Sequence, residues 1–249
     1  MQGFDAPMSN SVERYVKQAG KGINRYGLIK EGDRVLMGIS GGKDSLSMAY
    51  ALAARRKWLP VSYDLQAVMV QWREYPIAQE KLDALDAFFA AIEVPFRRIP
   101  MTMRPESFRG KFNCYLCARN RKRVLFEIAD EEGFGTVAFG HHMDDIAETT
   151  LMNMVVQGRF ATMVPAQDFF GGKIRVIRPL CAVRESMVES IVHTLNLPVV
   201  SIDCPLKNEN LRVDFKRIVG ELSGINRYAR ENIIRSLTNI DMDYLPTGE

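Results

Sequence analysis

The sequence has no long hydrophobic run, little net charge and few cysteines, and these absences exclude several classes of protein. No uninterrupted apolar stretch in its 249 residues approaches the roughly 20 that a membrane-spanning helix needs. The first residues, MQGFDAPMSNSVERYVKQ, do not place an apolar run after a basic region, so we expect no signal peptide. Four cysteines in a chain of this length do not indicate a disulfide framework. The sequence therefore predicts a cytoplasmic protein that does not enter a membrane.

The net charge of +3, from 33 basic and 30 acidic residues, does not by itself indicate nucleic-acid binding. The distribution of charge is more informative, because Glu106 is the only acid between Arg97 and Arg123. The basic residues of this block are Arg97, Arg98, Arg104, Arg109, Lys111, Arg119, Arg121, Lys122 and Arg123. Such a block favours a phosphate-rich partner, although a solvated basic loop has the same composition. Cys114 and Cys117 lie inside it as a CxxC pair, a spacing used for metals, iron–sulfur clusters and redox pairs.

Short buried strands alternate with helical segments, which predicts a doubly wound parallel α/β sheet with helices on both faces. We expect an N-terminal helical segment at 1–28, an α/β domain at 29–205 that carries the CxxC insertion, and a C-terminal helical tail at 206–249. Three further predictions are a helix at 116–132, a loop at 165–172 and a strand over PVVSID. Sheets of this kind bind ligands at the carboxyl ends of their strands, so the turn after the strand GDRVLMGIS is a candidate site.

Ser40–Ser45, with the sequence SGGKDS, lies at that strand-to-helix turn and has the composition of a phosphate-binding loop. Gly41 and Gly42 let the backbone approach a phosphate closely. The following helix offers N–H groups and the positive end of its dipole to an anion. The two serines add hydroxyl donors, and Asp44 can hold Mg²⁺ against phosphate oxygens. The spacing differs from that of a Walker A loop, and a plain tight turn is the alternative interpretation.

Gly140–Asp145, with the sequence GHHMDD, follows the short strand TVAFG and is expected at the same edge of the sheet. Asp144 and Asp145 begin a helix, where carboxylates are common caps, so capping is the alternative to a ligand contact. Two histidines and two carboxylates also suggest a metal site, but they crowd one turn without a further set of ligands. From the predicted fold alone, Met37 and Val70 are expected to flank the adenine of a bound nucleotide.

Together these segments resemble the PP-loop ATP pyrophosphatases, which split ATP between the α and β phosphates to adenylate a substrate. Among them the chain is similar to the tRNA 2-thiocytidine synthetase family. The resemblance extends from about Ser11 to Arg212 and rests on GDRVLMGISGGKDS, NCYLCARNRKR, GHHMDDIAET with LMNM, and IRPL followed by LPVVSIDC. It implies ATP-dependent thiolation of tRNA at a pyrimidine C2 oxygen, such as that of an anticodon-loop cytidine. The implied cofactors are ATP, Mg²⁺ and a [4Fe-4S] cluster. The implied partners are tRNA and a sulfur donor (a cysteine desulfurase, sulfide or a persulfide carrier), with a homodimer left open.

The resemblance also assigns roles to single residues. Those implied to bind ATP are Ser40, Gly41, Gly42, Lys43, Asp44, Ser45, Gly140, His141 and Asp145, with Asp44 also holding Mg²⁺. Cys114 and Cys117 would bind the cluster together with one later cysteine, and Arg121 would stabilise the adenylate. Related thiolases usually carry the third ligand in a cysteine-rich segment after the PVV-type strand, where this chain has Cys204 alone. Cys181, directly after IRPL, is the competing candidate.

Other interpretations stay open at this point. Cys117 and Cys204 can act as a persulfide pair without a cluster, cycling through a disulfide. The same ATP chemistry can also serve sulfur transfer to a small molecule or another RNA. A nucleotide- or RNA-binding module with a structural CxxC site is the alternative of another class.

Overall fold

The computed structural model describes residues 8–57, 61–104, 108–110, 113–201 and 211–245. Its helices are α1 (Asn10–Arg25), α2 (Lys43–Arg56), α3 (Gln79–Ala91), α4 (Cys114–Glu131), α5 (Met143–Gln157), α6 (Glu185–Thr194), α7 (Arg212–Ile225) and α8 (Ala229–Ser236). Its strands are β1 (Asp33–Ile39), β2 (Tyr63–Trp72), β3 (Phe96–Met101), β4 (Thr136–Ala138), β5 (Ala166–Phe169) and β6 (Ile174–Ile177). Within these ranges no helix is both long and apolar enough to cross a membrane.

The six strands form one sheet in the order β3-β2-β1-β4-β6-β5. The first five strands in this order are parallel, and β5 pairs antiparallel with β6 at one edge. The central strands β1 and β2 are apolar and largely buried, as expected for a sheet covered on both faces. The predicted doubly wound α/β fold is confirmed.

Two of the predicted elements are wrong in detail. The segment 165–172, predicted to be a loop, contains β5, whose sequence AQDF has none of the apolar alternation that marks a strand. The segment PVVSID was predicted to be a strand, but Pro198–Ser201 are not in one, and the rest lies outside the described residues. The N–H of Val200 instead donates to the carbonyl of Gly41 at 2.9 Å.

Helices cover both faces of the sheet. Crossovers between parallel strands are right-handed, and the chain moves in opposite directions from β1 to β2 and from β3 to β4. These two connections therefore place α2 and α4 on opposite faces. Helices α1 and α6 pack against α2, whereas α4 packs against β1, β2, β4 and β6. Leu36, Val70, Trp72 and Val124 belong to the buried cluster between the sheet and α4.

The described chain falls into two compact units. The sheet, α1–α4 and α6 make up the first, which covers residues 8–142 and 165–201. The second covers residues 143–164 and 211–245, and in it α5 packs against α7 and α8. Phe215 and Val219 on α7 are buried within this small helical unit.

Candidate active site

The loop between β1 and α2 has a backbone that requires glycine at one position. Gly41 has a φ of 82°, in the left-handed region that favours glycine. A Cβ atom at Gly41 would also lie 3.2 Å from the Cβ of Val200. Because α2 begins at Lys43, its first-turn N–H groups have no acceptor within the helix and point toward this turn. The first turn of α2 therefore offers the open amides that a phosphate group needs.

The two serines of SGGKDS fix the loop in this shape. The Ser45 hydroxyl donates to the carbonyl of Gly42 at 2.9 Å and accepts from the N–H of Ser40 at 3.2 Å. The Ser40 hydroxyl accepts from the N–H of Gly42, also at 3.2 Å. The two hydroxyl oxygens lie 3.2 Å apart, and because the Ser45 proton goes to the Gly42 carbonyl, Ser40 is the donor between them. The sequence already indicated serines as ligands, and the structure shows that they also shape the turn.

Lys43 is held between two carboxylates. Its Nζ lies 2.7 Å from Oδ1 of Asp44 and 2.8 Å from Oε1 of Glu185, the first residue of α6. Burial by itself lowers the pKa of Lys43, but the hydrogen bonds to both carboxylates raise it above its ordinary value. Lys43 therefore stays cationic beside the loop. Glu185 was not predicted as a site residue. The sequence signal that could have found it is its position at the start of the helix that follows the IRPL segment.

The segment after β4 packs directly against the first turn of α2. A Cβ at Gly140 would lie 2.7 Å from the carbonyl oxygen of Asp44 and 2.9 Å from the nitrogen of Ser45. Buried His142 places Nε2 at 3.6 Å from Oδ1 of Asp44. Half-buried His141 lies beside Phe139 instead, with 6.0 Å between the ring centroids. The predicted residue Gly140 thus joins the loop, and His142, which was not predicted as a site residue, contacts the loop carboxylate.

The acidic residues of α5 are engaged by arginines within the second unit. Arg230 of α8 forms a short ion pair with Asp144, whose side chain is 6% exposed. Arg212 of α7 donates to the hydroxyl of Thr149 at 3.1 Å. Its guanidinium also lies 3.9 Å from the carboxylates of Asp145 and Glu148. Neither arginine was predicted as a site residue, because each lies more than sixty residues along the chain from the side chain that it contacts.

The CxxC pair lies on the first turn of α4. The helix begins at Cys114, two residues earlier than predicted, and the side chain of Asn113 caps it by accepting from the N–H of Leu116 at 3.0 Å. Residues three apart share a helix face, so Cys114 and Cys117 lie side by side, and both are half-buried. The positive end of a helix dipole favours thiolates. The pair is therefore suited to bind a metal or cluster.

The structure describes only one of the two candidate cysteines for the third cluster ligand. Cys204 lies outside the described residues. Cys181 is buried beside α1, where a Cβ at Gly22 would lie 2.9 Å from its sulfur. Burial raises the pKa of Cys181 to about 11, so it is a protonated thiol at neutral pH. Among the described residues, no three potential ligands of the Cys, His, Asp and Glu types come together.

Three other predicted site residues, Arg121, Met37 and Val70, lie on α4, β1 and β2. Arg121, four residues after Cys117 on α4, stacks over Trp72 with 5.3 Å between its Cζ and the ring centroid. Met37 and Val70 are buried in β1 and β2, but Val70 belongs to the cluster under α4 and Met37 does not. Because side chains alternate along a strand and Leu36 faces α4, Met37 faces the opposite side of the sheet. The structure does not bring Met37 and Val70 together, and their role at adenine stays a prediction.

Comparisons with known proteins agree with this arrangement of motifs. The family model for the PP-loop domain matches residues 8–217. The tRNA-cytidine(32) 2-sulfurtransferase of Polynucleobacter asymbioticus is 32% identical, over 96% of this chain and 80% of the relative. The protein of the same name from Syntrophotalea carbinolica is 33% identical, over 92% and 90%.

One solved structure shares the fold over most of its length. It is the U34-tRNA thiolase NcsA from Methanococcus maripaludis, determined with its [4Fe-4S] cluster. The TM-score is 0.75 at 24% identity, with 95% of this chain and 80% of that chain covered. At this identity the likeness concerns the fold alone.

Proposed function

Because the chain belongs to the PP-loop domain family, as its motifs predicted, we propose that it is an ATP-dependent tRNA sulfurtransferase. In this proposal it adenylates the C2 oxygen of an anticodon-loop cytidine and replaces that oxygen with sulfur. The names of its relatives support the tRNA substrate and the cytidine. The observation that carries the proposal is the placement of two sites at one edge of the sheet, the SGGKDS loop and the CxxC turn.

The shared edge follows from the topology of the first unit. The SGGKDS loop follows the carboxyl end of β1. Helix α4 returns the chain to the amino end of β4, so its own N-terminus, with Cys114, lies at the carboxyl edge of the sheet. ATP bound at the loop and a group held by the two thiols would therefore face the same region.

The first half of the reaction requires activation of a poor leaving group. Displacement of oxygen from C2 of a pyrimidine becomes feasible once AMP has been transferred to that oxygen and the base oxygen departs with it. The loop amides and the N-terminus of α2 would stabilise the negative charge that develops on pyrophosphate. Asp44 would hold Mg²⁺: its carboxylate is partly exposed, and Mg²⁺ is usually bound by one or two carboxylates and the substrate phosphates. Arg121 would stabilise the adenylate from the face of α4.

The second half requires a sulfur source next to the activated base. Cys114 and Cys117 would hold a [4Fe-4S] cluster with Cys204, and the cluster would supply the sulfur that replaces oxygen. The two described thiols fit such a group, since they lie side by side at a helix N-terminus. The burial of Cys181 against α1, on the other face of the sheet from α4, supports Cys204 as the third ligand.

Iron content tests the cluster assignment. Protein purified without oxygen, or reconstituted with iron and sulfide, should be brown and contain about four irons per chain for a [4Fe-4S] cluster. Cys114→Ala and Cys204→Ala should lose the iron, whereas the matched variant Cys181→Ala should keep it. Iron-free wild-type protein that still thiolates tRNA would replace the cluster with a persulfide route through Cys117 and Cys204. Loss of iron in Cys181→Ala alone would make that residue the third ligand.

A further inference from the structure

Three phenylalanine rings form an aromatic cluster beside α4, away from the CxxC turn. Phe170 is exposed, whereas Phe126 and Phe169 are half-buried. Phe126 of α4 lies 5.4 Å from Phe169 and 5.6 Å from Phe170, measured between ring centroids. Phe169 and Phe170 are at the tip of the β5–β6 hairpin. The side chains enclose an open cavity of about 640 Å³ that Ile174 also lines. A cavity of this size and lining suits a flat aromatic group.

The backbone holds Phe170 in an unfavourable conformation. Its φ is 53°, and the next two residues, Gly171 and Gly172, also have positive φ. Glycine adopts this region freely, but a bulky residue rarely does. Phe170 is nevertheless 64% exposed, so core packing does not explain its presence. An exposed ring kept in a strained backbone points to a binding role.

Cations outnumber carboxylates around the aromatic cluster. The lining includes the cations Arg119, Lys122, Arg123 and Lys173 and the carboxylates of Glu127 and Asp130. Arg123 pairs with Glu127, and Lys173 pairs with Asp130, but both pairs are exposed and such pairs contribute little. Within the described part of the chain, no ion pair includes Arg119 or Lys122, and the ammonium of Lys122 lies 5.9 Å from the centroid of the Phe139 ring. Burial, and then the nearby guanidinium of Arg178, lower the pKa of Lys122.

The structure also shows which cations of the basic block contact other side chains of the protein. Arg97 pairs with Glu132 and Arg98 pairs with Asp86, so these two cations are used within the fold. Arg121 is stacked on Trp72. Arg119, Lys122 and Arg123 are the part of the block that α4 presents next to the aromatic cluster, and Lys173 joins them from the β5–β6 hairpin. Positive charge beside stacking surfaces is the arrangement with which proteins bind unpaired nucleotides.

We propose that this aromatic cavity binds an unpaired nucleotide of the RNA substrate, with its base stacked on Phe170 and its phosphates held by Arg119 and Lys122. The inference rests on the proposed function, because it takes tRNA as the substrate. Phe126 follows Cys117 by nine positions on α4, a rise of about 13 Å and half a turn round the helix axis. An RNA strand that binds the cavity would pass around α4 to reach the CxxC turn, and the site would hold the RNA while another nucleotide reacts.

Substitution of Phe170 tests the site without harming the fold. Phe170→Gly removes the ring and relieves the positive φ, so its melting temperature should not fall. With an unmodified tRNA transcript that carries an anticodon-loop cytidine, its Kd should rise about fivefold to 150-fold, the range for loss of one stacked base. Phe170→Trp should restore binding. The matched control is Tyr26→Ala, which removes another exposed ring that lies beside an arginine, Arg25, at the end of α1.

Salt dependence separates the ring from the cations. The slope of the logarithm of the binding constant against the logarithm of the salt concentration is negative. Its magnitude should be unchanged in Phe170→Gly and smaller by about 0.7 to 0.9 in Lys122→Gln, as for the loss of one phosphate contact. Wild-type affinity in Phe170→Gly, or equal loss in Phe170→Trp, would overturn the inference alone. A changed oligomeric state in light scattering, with RNA affinity intact, would assign the cavity to a second copy of the chain. Failure of the wild-type protein to bind tRNA would overturn the proposed function as well.

Discussion

Gly140 lies outside the phosphate loop, but its replacement by alanine should displace that loop. The added Cβ would lie 2.7 Å from the carbonyl oxygen of Asp44, 2.8 Å from its carbonyl carbon and 2.9 Å from the nitrogen of Ser45. Favourable contacts to carbon lie at about 3.5–4.0 Å, so the atoms must separate by roughly 0.7 Å or more. All three are backbone atoms of the first turn of α2, which cannot rotate away as a side chain does. The strain should therefore move the loop that Ser40–Ser45 form.

Two magnitudes follow from this overlap. Overpacking typically destabilises a protein by about 1–3 kcal/mol, which for a chain of this size lowers the melting temperature by about 2 to 12 °C. A displacement near 1 Å at a reacting group can lower the rate about 100-fold. We expect a fall of that order in pyrophosphate release from ATP in the presence of tRNA, measured by a coupled phosphate assay. The melting temperature is measured by circular dichroism.

A glycine nearby in the sequence provides the control. A Cβ at Gly135, just before β4, would meet nothing within 4 Å, so Gly135→Ala should retain both stability and activity. If Gly140→Ala melts at the wild-type temperature and releases pyrophosphate at the wild-type rate, the close packing of the two segments does not matter for the loop. That result would refute the reasoning.

Three further predictions concern charged and buried groups. Glu185→Gln should lower the pKa of Lys43, because one of the two carboxylates that raise it is removed. The stability that this pair contributes should be present below the unfolded pKa of lysine and be lost as the pH rises through the higher folded pKa, which urea unfolding at several pH values measures. Cys181 should resist alkylation by iodoacetamide at pH 8 in the native protein, since its pKa is raised to about 11, as peptide mass spectrometry can show. Arg230→Gln should lower the free energy of unfolding by about 3 kcal/mol, because the buried carboxylate of Asp144 loses its guanidinium.

The controls for these predictions come from the same chain. Arg217 and Glu221 form an exposed ion pair on α7 at 3.0 Å, so Arg217→Gln should change the unfolding free energy by about 0.5 kcal/mol or less. Equal effects of Arg217→Gln and Arg230→Gln would contradict the importance assigned to burial. For Lys43, a stability difference that persists unchanged above the folded pKa would contradict its ion-pair origin. Rapid native-state alkylation of Cys181 would show that its side chain is accessible.

Local sequence predicted the elements whose structure depends on neighbours in the chain. The SGGKDS turn was predictable because two glycines, two serines and a following helix fall within six residues, and its shape is set by hydrogen bonds among them. The alternation of strands and helices likewise predicted the sheet. The helix that carries the CxxC pair was predicted to begin at Leu116, but it begins at Cys114. Its start depends on one capping side chain, that of Asn113.

Long-range partners could not be predicted in the same way. Glu185 reaches Lys43 across 142 positions of sequence, and Arg230 reaches Asp144 across 86. A charged residue on a helix has no sequence signal that distinguishes a solvent-exposed position from an ion pair at the site. The edge strand β5 was missed for a related reason, since one paired neighbour and an exposed polar face leave little hydrophobic pattern.

The central claim is tested most directly by the nucleosides of tRNA treated with the protein. Unmodified tRNA transcript is incubated anaerobically with reconstituted protein, ATP, Mg²⁺ and sulfide, digested, and analysed by mass spectrometry. The account predicts 2-thiocytidine that depends on ATP and is absent with Asp44→Ala and with Cys114→Ala. Cluster-loaded, folded wild-type protein that releases no pyrophosphate and forms no thiolated nucleoside would contradict it.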